Sequence, residues 1–317
     1  MISGGIFQTP MNKRFPWALF TVFLFFLYTA PAQSGQIIID SDQQFTFAKT
    51  LMERGEYLQA INEFERFIHF FPENENVPKA RFFIGLCYLK GKNYETARKV
   101  LSEVYRTYRS QSIGGKALLM IGESYYRQAI STEAIHYFEK VIKEYPDTEI
   151  KNQAIYRLAW SRMQANQWQE ASDTFKMVEG GSLLYGGSQI LSELSLEGQF
   201  LPYKDPTTAG VLAGILPGMG HAYCGRYKDG LVALLVNGLF IWAAVESFDR
   251  DHEALGVILG FLELGWYSGN IYSAVNSAHK HNRKLKNDYL KSLPDQFRIN
   301  LSIQRDGTFG LALKFDF

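Results

Sequence analysis

The side chains that carry most enzyme chemistry are scattered along this chain rather than grouped. Cys87 and Cys224 each stand alone, outside any C-x-x-C pair or Cys/His cluster with zinc spacing. His221 has no second ligand at helical spacing, so we interpret it as structural. No nucleophile with a base, no phosphate-binding loop and no paired carboxylates are recognisable. The sequence therefore predicts a protein that is not an enzyme and has no metal site and no cofactor.

Glu263 is the acid with the most unusual surroundings. It lies near the middle of the apolar run from Ala254 to Val275, and an acid inside a membrane span is a functional-site candidate by default. In an antiparallel helix pair it would lie near the depth of Trp242, whose indole N–H could satisfy it. Because no second acid or base completes a proton relay, a buried structural hydrogen bond is the favoured interpretation.

Length and composition set the outer limits. The chain has 317 residues, 33 of them basic and 32 acidic, with 46% apolar residues. A net charge of +1 argues against a nucleic-acid binder, and the apolar fraction argues against a disordered chain. We expect two or three domains. The mean hydropathy of −0.15 is that of an ordinary soluble protein, but it averages over segments that differ sharply.

The N-terminus has the pattern of an export signal. Lys13 and Arg14 precede an apolar run from Trp17 to Ala30, and a small-residue cleavage site follows. We predict a signal peptide over residues 1–32, cleaved after Ala32, with an uncleaved anchor as the alternative. No cysteine follows the run, so a lipoprotein anchor is not indicated.

A repeat with a period of 37 residues fills the next half of the chain. An alanine recurs at this spacing, and four residues later, one helical turn on, comes a bulky apolar side chain. Thirteen residues before each alanine is another apolar residue, followed by a small one. The alanines are Ala60, Ala97, Ala134 and Ala171, and the bulky residues are Phe64, Leu101, Phe138 and Phe175. Each unit predicts two packed amphipathic helices, for example Asp42–Arg54 with Tyr57–Phe71, and Pro78–Leu89 with Tyr94–Tyr108. Four units and a capping helix over Ser182–Phe200 give a repeat domain over residues 41–200.

The order of residues in the first unit resembles the tetratricopeptide repeat: Ala48, Gly55-Glu56-Tyr57, Ala60, Phe64 and Pro72. The endings Phe71-Pro72 and Tyr145-Pro146 are similar to the envelope branch of that family, which includes the outer-membrane assembly lipoprotein BamD and the coordinator of the Tol-Pal system. The resemblance implies a helical solenoid whose groove takes an extended peptide or a partner helix. The first helix of each unit usually lines that groove, which makes candidates of Arg81, Tyr88, Tyr125, Arg157 and Arg162.

The last third predicts a membrane domain over residues 207–280. Its apolar runs are Ala209–Gly225, Gly230–Phe248 and Ala254–Val275. The second and third runs are long enough to span a bilayer. The first run is shorter and contains Pro217, so it is either a kinked span or a re-entrant loop. The loop at residues 249–253 is acidic, whereas the stretch at 279–286 is basic. With the positive-inside rule and an exported repeat domain, three spans are preferred over two.

One stretch of the first run, Leu216–Arg226, resembles the signature of small bacterial membrane domains related to the two-transmembrane-helix domain family. Its glycines are expected to allow close helix approach and a tight turn, and its tyrosine to lie at the membrane interface. The motif residues are Pro217, Gly218, Gly220, Tyr223 and Gly225.

The C-terminus predicts a β-hairpin over residues 296–317. Apolar and polar residues alternate on both sides of Asp306-Gly307, which is a strong hairpin signal. Its apolar face must rest on the membrane domain, the lipid surface or a second copy. The closing strand of an outer-membrane barrel is a minor alternative, since only two strands are recognisable.

Together these patterns predict a mainly α protein: a helical solenoid, a helical transmembrane domain and a terminal hairpin. The expected function is a non-enzymatic, membrane-anchored scaffold in the bacterial envelope, in the inner membrane with a periplasmic repeat domain. An outer-membrane location is a lesser alternative. Protein and membrane lipid are the expected partners, with a homo-oligomer through the membrane domain as a further option and no nucleic acid. The alternative functions are a transport or channel component, in which Glu263 would matter, and an assembly factor for outer-membrane proteins.

Overall fold

The computed structural model describes residues 40–146, 148–293, 299–300 and 312–313, and we call these the described residues. The predicted signal peptide lies outside them. In chain order the helices are α1 (Ser41–Glu53), α2 (Tyr57–Phe70), α3 (Val77–Lys90), α4 (Tyr94–Thr107), α5 (Ser112–Arg127), α6 (Ser131–Glu144), α7 (Thr148–Gln164), α8 (Trp168–Lys176), α9 (Tyr185–Glu197), α10 (Pro206–Ile215), α11 (Met219–Tyr223), α12 (Tyr227–Asp249) and α13 (Glu253–Ser292). A 3₁₀ turn, Gly198–Phe200, follows α9.

The first eight helices form four antiparallel pairs with the predicted period. The turn inside each pair places one residue at a positive φ, and these residues are 37 positions apart: Gly55, Lys92, Ala129 and Asn166. In each turn that residue and the next donate backbone hydrogen bonds back to the preceding helix, as Ala129 N–H does to Tyr126 O and Ile130 N–H to Tyr125 O. This is the Schellman ending of a helix. One backbone turn is therefore used four times, although only the first copy has glycine.

The small residue of the first helix and the bulky residue of the second helix meet inside the helix pairs. A Cβ added to Gly122 of α5 would lie 2.7 Å from the Phe138 ring of α6, and one added to Gly85 of α3 would lie 2.6 Å from the Leu101 side chain of α4. Small residues at this position therefore let the helices approach until the bulky side chain fills the gap. The buried apolar residues form two clusters that meet at α7: one extends from α1 to α7, and the other joins α7, α8 and α9 to the end of α13.

The end of α13 closes the last repeat unit. Leu293 belongs to the same apolar cluster as Trp168 and Leu191. Tyr289 donates a hydrogen bond to the carbonyl oxygen of Leu194, and the Lys286 ammonium donates one to Gln164 O at 2.6 Å. The basic C-terminal end of α13 is therefore in direct contact with the repeat domain.

The first apolar run folds back on itself. Helix α10 lies antiparallel to α13, with Gly214 O accepting from Tyr267 Oη at 3.1 Å. After a turn at Pro217-Gly218, α11 returns until Tyr223 Oη accepts from the backbone N–H of Asp205 at 3.1 Å. The two ends of the run are thus side by side at one end of the α12–α13 pair.

Helices α12 and α13 form an antiparallel pair with a small and polar interior. Their buried positions recur every seven residues, as in a coiled coil: Gly230, Asn237 and Ala244 on α12, and Gly256, Glu263, Asn270 and Ser277 on α13. We call these seven residues the polar seam. The outer faces are the reverse, since Leu235, Leu239, Phe261 and Leu264 are each more than half exposed.

By length and composition, Tyr227–Asp249 is the one helix in the described part of the chain that is long and apolar enough to cross a membrane. The third apolar run forms the first half of the 40-residue α13 and carries Glu263 and Asn270 within it.

Two short strands, Ile299–Asn300 and Ala312–Leu313, pair antiparallel, with Ile299 opposite Leu313. The rest of the predicted hairpin, including its turn at Asp306-Gly307, lies outside the described residues, so the hairpin stays a prediction.

Candidate functional site

Three of the five predicted groove residues occupy one repeat position. Tyr88, Tyr125 and Arg162 are 37 residues apart and lie near the ends of first helices. Tyr125 stacks on Tyr137 of α6, with ring centroids 5.4 Å apart, and the Arg98 guanidinium of α4 lies 4.4 Å from the centre of the Tyr125 ring. Its side chain therefore faces the layer of second helices and joins two neighbouring units.

Arg162 and Tyr88, which share the repeat position of Tyr125, also face the layer of second helices. Arg162 forms an ion pair with Glu139 of α6 at 3.0 Å and donates a hydrogen bond to Thr174 of α8. Tyr88 lines a cavity of about 520 Å³ beside the start of α2, together with Tyr57 and Asn93. Existing contacts account for the Tyr125 and Arg162 side chains, which makes both of them part of the scaffold between units.

Arg157 is the candidate that contacts a first helix. Its guanidinium lies 3.1 Å from Glu123 of α5 and over the Tyr126 ring at 5.3 Å. Glu123 also accepts from Arg127 at 2.7 Å. Glu123 is buried, so its charge needs compensation, and the two arginines provide it. This cluster ties α7 to α5.

The first helices themselves leave little free surface. Nine of the 14 residues of α3 and 11 of the 16 residues of α5 are buried. A groove lined by first helices, as the sequence predicts, therefore has few side chains left to present in the middle of the solenoid. Arg81 is an exception on α3, because it is exposed.

Arg81 opens into a cavity of about 790 Å³ formed by α2, α3 and α4, which we call the outer cleft. Its lining consists of Glu65, Ile68, His69, Arg81, Ile84, Val100, Glu103, Val104, Arg106 and Thr107. Eight of these ten residues come from second helices. This large recess of the repeat domain thus lies mainly on the second-helix layer and not on the predicted groove.

The outer cleft combines an apolar floor with charged edges. Ile84 and Val104 are buried, while Arg81 and Arg106 are exposed. Neither arginine takes part in any of the ion pairs found among the described residues. A guanidinium without a partner is a ready donor of paired hydrogen bonds to a carboxylate. Glu65 and Glu103 also line the cleft and are exposed. The cleft can therefore hold an apolar side chain below and bind both an acidic and a basic one at its rim.

The membrane-motif residues have clear structural uses. Gly218 has a φ of +88°, and a Cβ there would lie 2.0 Å from the carbonyl oxygen of Gly230. A Cβ on Gly220 would lie 2.1 Å from Ala209 O. Pro217 is buried in the same turn, and Gly225, at φ +76°, ends α11. The motif therefore specifies the tight fold of α10 and α11 against the helix pair.

Tyr223 of the motif bridges to the repeat side. Its hydroxyl accepts from Asp205 N–H, and the Lys204 ammonium lies 4.7 Å from its ring centre. The side-chain amide of Asn282 on α13 also binds the backbone of Lys204: it accepts from Lys204 N–H and donates to Lys204 O, both at 2.7 Å.

The expected bond between Glu263 and Trp242 is not formed. Trp242 is 62% exposed on the outside of α12, whereas Glu263 is only 7% exposed and both of its carboxyl oxygens lack a hydrogen-bond partner. Glu263 instead lines an apolar cavity together with Ile241, Ala244 and Tyr267. The prediction is wrong because it matched depth along α12 but not the rotation of that helix about its axis.

The polar seam is the feature that the sequence interpretation missed. Asn237, Glu263 and Asn270 all have buried polar atoms without a hydrogen-bond partner. The sequence does contain a pattern that predicts this seam, because polar or small residues recur every seven positions inside otherwise apolar runs.

Family comparisons give the repeat domain its class. Two models, both described as tetratricopeptide repeat, match residues 45–112, and residues 116–148 with 153–179. No curated protein matches the chain. A solved structure, a tetratricopeptide repeat protein from Parabacteroides merdae, is 13% identical with a TM-score of 0.40, covering 79% of this chain and 97% of the other. The two family models by themselves identify tetratricopeptide repeats within residues 45–179, and repeats of this class typically serve as non-enzymatic scaffolds for protein–protein interaction.

Proposed function

We propose that this protein is a membrane-anchored, non-enzymatic scaffold of the bacterial cell envelope that binds a protein partner through its repeats. The observation that carries the proposal is the continuity of α13. One helix of 40 residues begins in a pair with apolar outer faces and ends inside the core of the last repeat unit.

The exposed faces of α12 and α13 support anchoring in lipid. Leucine, valine, phenylalanine and tryptophan side chains that are more than half exposed follow one another along both helices. A contiguous apolar surface of this kind marks a membrane or protein contact. With α10 and α11 folded back as a re-entrant loop, we infer two spans, α12 and the first half of α13, instead of the three that the charges favour. Although only α12 among the described helices has the hydropathy of a span by itself, the polar residues of α13 are buried and its outer face is apolar.

Two spans place the repeats and the basic tail on one side of the membrane. Two sequence signals then assign that side differently, since the export signal favours the outside and the basic residues near 279–286 favour the cytoplasm. We infer the exported side, because the first apolar segment of a chain usually dominates its orientation. The envelope branch of the repeat family is consistent with this placement.

The outer cleft is the partner site that the geometry supports best. Its apolar floor and its rim fit a short amphipathic segment whose acidic side chains face Arg81 and Arg106 and whose basic side chains face Glu65 and Glu103. The partner is therefore expected to be an amphipathic helix or extended peptide of another envelope protein that carries both charges.

Site-specific photocrosslinking tests the cleft. A photoreactive residue at Thr107 in the full-length chain is expected to capture a specific protein in cells, and the double variant Arg81→Glu, Arg106→Glu is expected to reduce capture about tenfold or more. Lys99→Glu is the matched charge reversal, because Lys99 lies on the same helix as Arg106 but outside the cleft. Equal capture by the double variant and the Lys99→Glu variant would exclude the cleft as the site.

A further inference from the structure

A second cavity, of about 500 Å³, lies between α12 and α13 beside the re-entrant loop. Two of its lining side chains, His221 and Asn270, are more than nine-tenths buried and still have unused hydrogen-bonding atoms. His221 Nε2 is 3.0 Å from Ser273 Oγ, but its Nδ1 has no partner. Neither the oxygen nor the nitrogen of the Asn270 amide has one. Because buried polar groups are normally paired, these atoms point to an occupant that both donates and accepts hydrogen bonds.

The polar end of this cavity carries a balanced pair of charges. Arg226 and Asp229 are in contact at 2.6 Å, and Arg226 also donates to Ser277 at 2.9 Å. A ligand with net negative charge would meet a guanidinium that Asp229 already neutralises. A zwitterionic ligand, with its anion toward Arg226 and its cation toward Asp229, complements both groups.

The other end of the cavity is apolar. Val232, Val236 and Trp266 form its walls. A Cβ added at Gly265 or Gly269 would meet nothing within 4 Å, so the missing side chains leave a channel along α13. A free headgroup would fill only the polar end, whereas a lipid with an acyl chain would fill both.

We propose that this cavity binds a zwitterionic phospholipid with a primary ammonium headgroup. The phosphate lies toward Arg226 and His221, the ammonium toward Asp229, and the Asn270 amide bonds the ester region, while the acyl chain follows Trp266. A primary ammonium retains N–H donors for Asp229 that a trimethylated headgroup lacks. This inference rests on the proposed membrane anchoring of α12 and α13.

Trp266 provides the probe. The full-length chain with Trp17→Phe and Trp242→Phe would be reconstituted in phosphatidylcholine vesicles that contain a fixed fraction of either brominated phosphatidylethanolamine or brominated phosphatidylcholine. Trp160 and Trp168 lie in the repeats and report equally in both. We expect the ethanolamine lipid to quench Trp266 about twofold or more strongly. Adding Asn270→Leu is expected to bring the ratio to one, and adding Asn237→Leu to leave it unchanged, because Asn237 is in the same seam but does not line the cavity.

The remaining outcomes each overturn the proposal in a different way. Equal quenching by the two lipids, or a preference that survives Asn270→Leu, means that the cavity does not select the headgroup. Loss of the preference on adding inorganic phosphate means that a free anion occupies the polar end. If Trp266 is protected from both lipids, and this protection disappears when the protein is diluted in the vesicles, a second copy of the chain fills the cavity. Absence of quenching by either lipid refutes the membrane anchoring itself.

Discussion

Tyr289, near the end of α13, packs edge-on against Trp168 at the start of α8, with ring centroids 6.0 Å apart and planes inclined at 78°. The two residues are 121 positions apart in the chain, and their contact joins the apolar helix pair to the last repeat unit. Edge-to-face aromatic pairs contribute more than the area they bury.

A double-mutant cycle measures this contact. Trp168→Leu and Tyr289→Leu are expected to show a coupling free energy of about 0.5–1.5 kcal/mol in urea unfolding of the full-length chain in detergent. Tyr185→Leu combined with Trp168→Leu serves as the control pair, because Tyr185 lies on α9 outside that aromatic pair. A coupling energy near zero for the first pair would mean that the rings touch without joining the two domains.

Labelling of single cysteines tests whether the repeats and the basic tail share one side of the membrane. Because both native cysteines are buried, we expect them to react slowly. In membrane vesicles, Ser110→Cys and Ser292→Cys are expected to react with an impermeant maleimide from the same side, and Asp251→Cys from the opposite side. Reaction of the Ser110→Cys and Ser292→Cys variants from opposite sides would restore the three-span arrangement.

The left-handed turn residues differ in how well their types suit the backbone. Ala129 adopts φ +57°, which disfavours a side chain with a Cβ. We expect Ala129→Gly to raise the free energy of unfolding by about 0.5–1 kcal/mol. Ala165, one position before the left-handed Asn166 of the next unit, is not at a positive φ, so Ala165→Gly is expected to lower it. A destabilised Ala129→Gly protein in the same denaturation assay would contradict this assignment.

Close packing in the membrane motif makes Gly220 intolerant of a side chain. A Cβ there would meet the carbonyl oxygen of Ala209 at 2.1 Å, and a backbone atom yields only if α10 moves. We predict that Gly220→Ala lowers stability in detergent by about 1–3 kcal/mol. Gly238→Ala, on the open face of α12 with nothing within 4 Å, is the matched control and is expected to be neutral or slightly stabilising. If both variants unfold alike, the glycine is not there for packing.

Acid is expected to weaken the junction between the second and third units. Burial raises the pKa of Glu144, but hydrogen bonds from Tyr105 and Arg109 outweigh it, and the pKa of Glu144 lies below its usual value. A carboxyl group with a lowered pKa stabilises the fold above its ordinary pKa, and that stabilisation is lost as the pH falls through the lowered value.

Stability measured by denaturation should therefore fall as the pH drops below about 4. Glu144→Gln is expected to flatten that decline, while Glu133→Gln, at an exposed position of the same helix, leaves it intact. A decline of equal slope in the Glu144→Gln protein would assign the acid sensitivity to other groups.

Regular spacing is what made the repeats readable from the sequence. The predicted second helix of the first unit, Tyr57–Phe71, differs by one residue from the observed Tyr57–Phe70, because alanine and phenylalanine positions fix the buried face. The same spacing puts Tyr88, Tyr125 and Arg162 at one repeat position. What it did not reveal is which layer of helices they face, since that depends on how successive units pack.

The fold of the first apolar run depends on contacts that hydropathy and charge do not encode. Asp205 and Tyr223 are 18 residues apart, and their hydrogen bond exists only because α10 and α11 fold back together. Gly218 and Gly220 carried the relevant information, because they mark close backbone approach within an apolar run. For Glu263, the recurrence of small and polar residues every seven positions indicates which face of α13 is buried. Hydropathy alone does not identify that face.

The length of α13 also sets a distance. About seventeen of its residues extend beyond the apolar run, and at about 1.5 Å per residue they reach about 25 Å from the end of that run. Since the helix is continuous and its end is fixed by Lys286 and Tyr289, the repeats cannot swing as they would on a flexible linker. Under the proposed anchoring, a partner bound in the outer cleft is held at a defined height above the bilayer and in a defined orientation. A change in the tilt of the helix pair in the bilayer would then turn the whole solenoid with it.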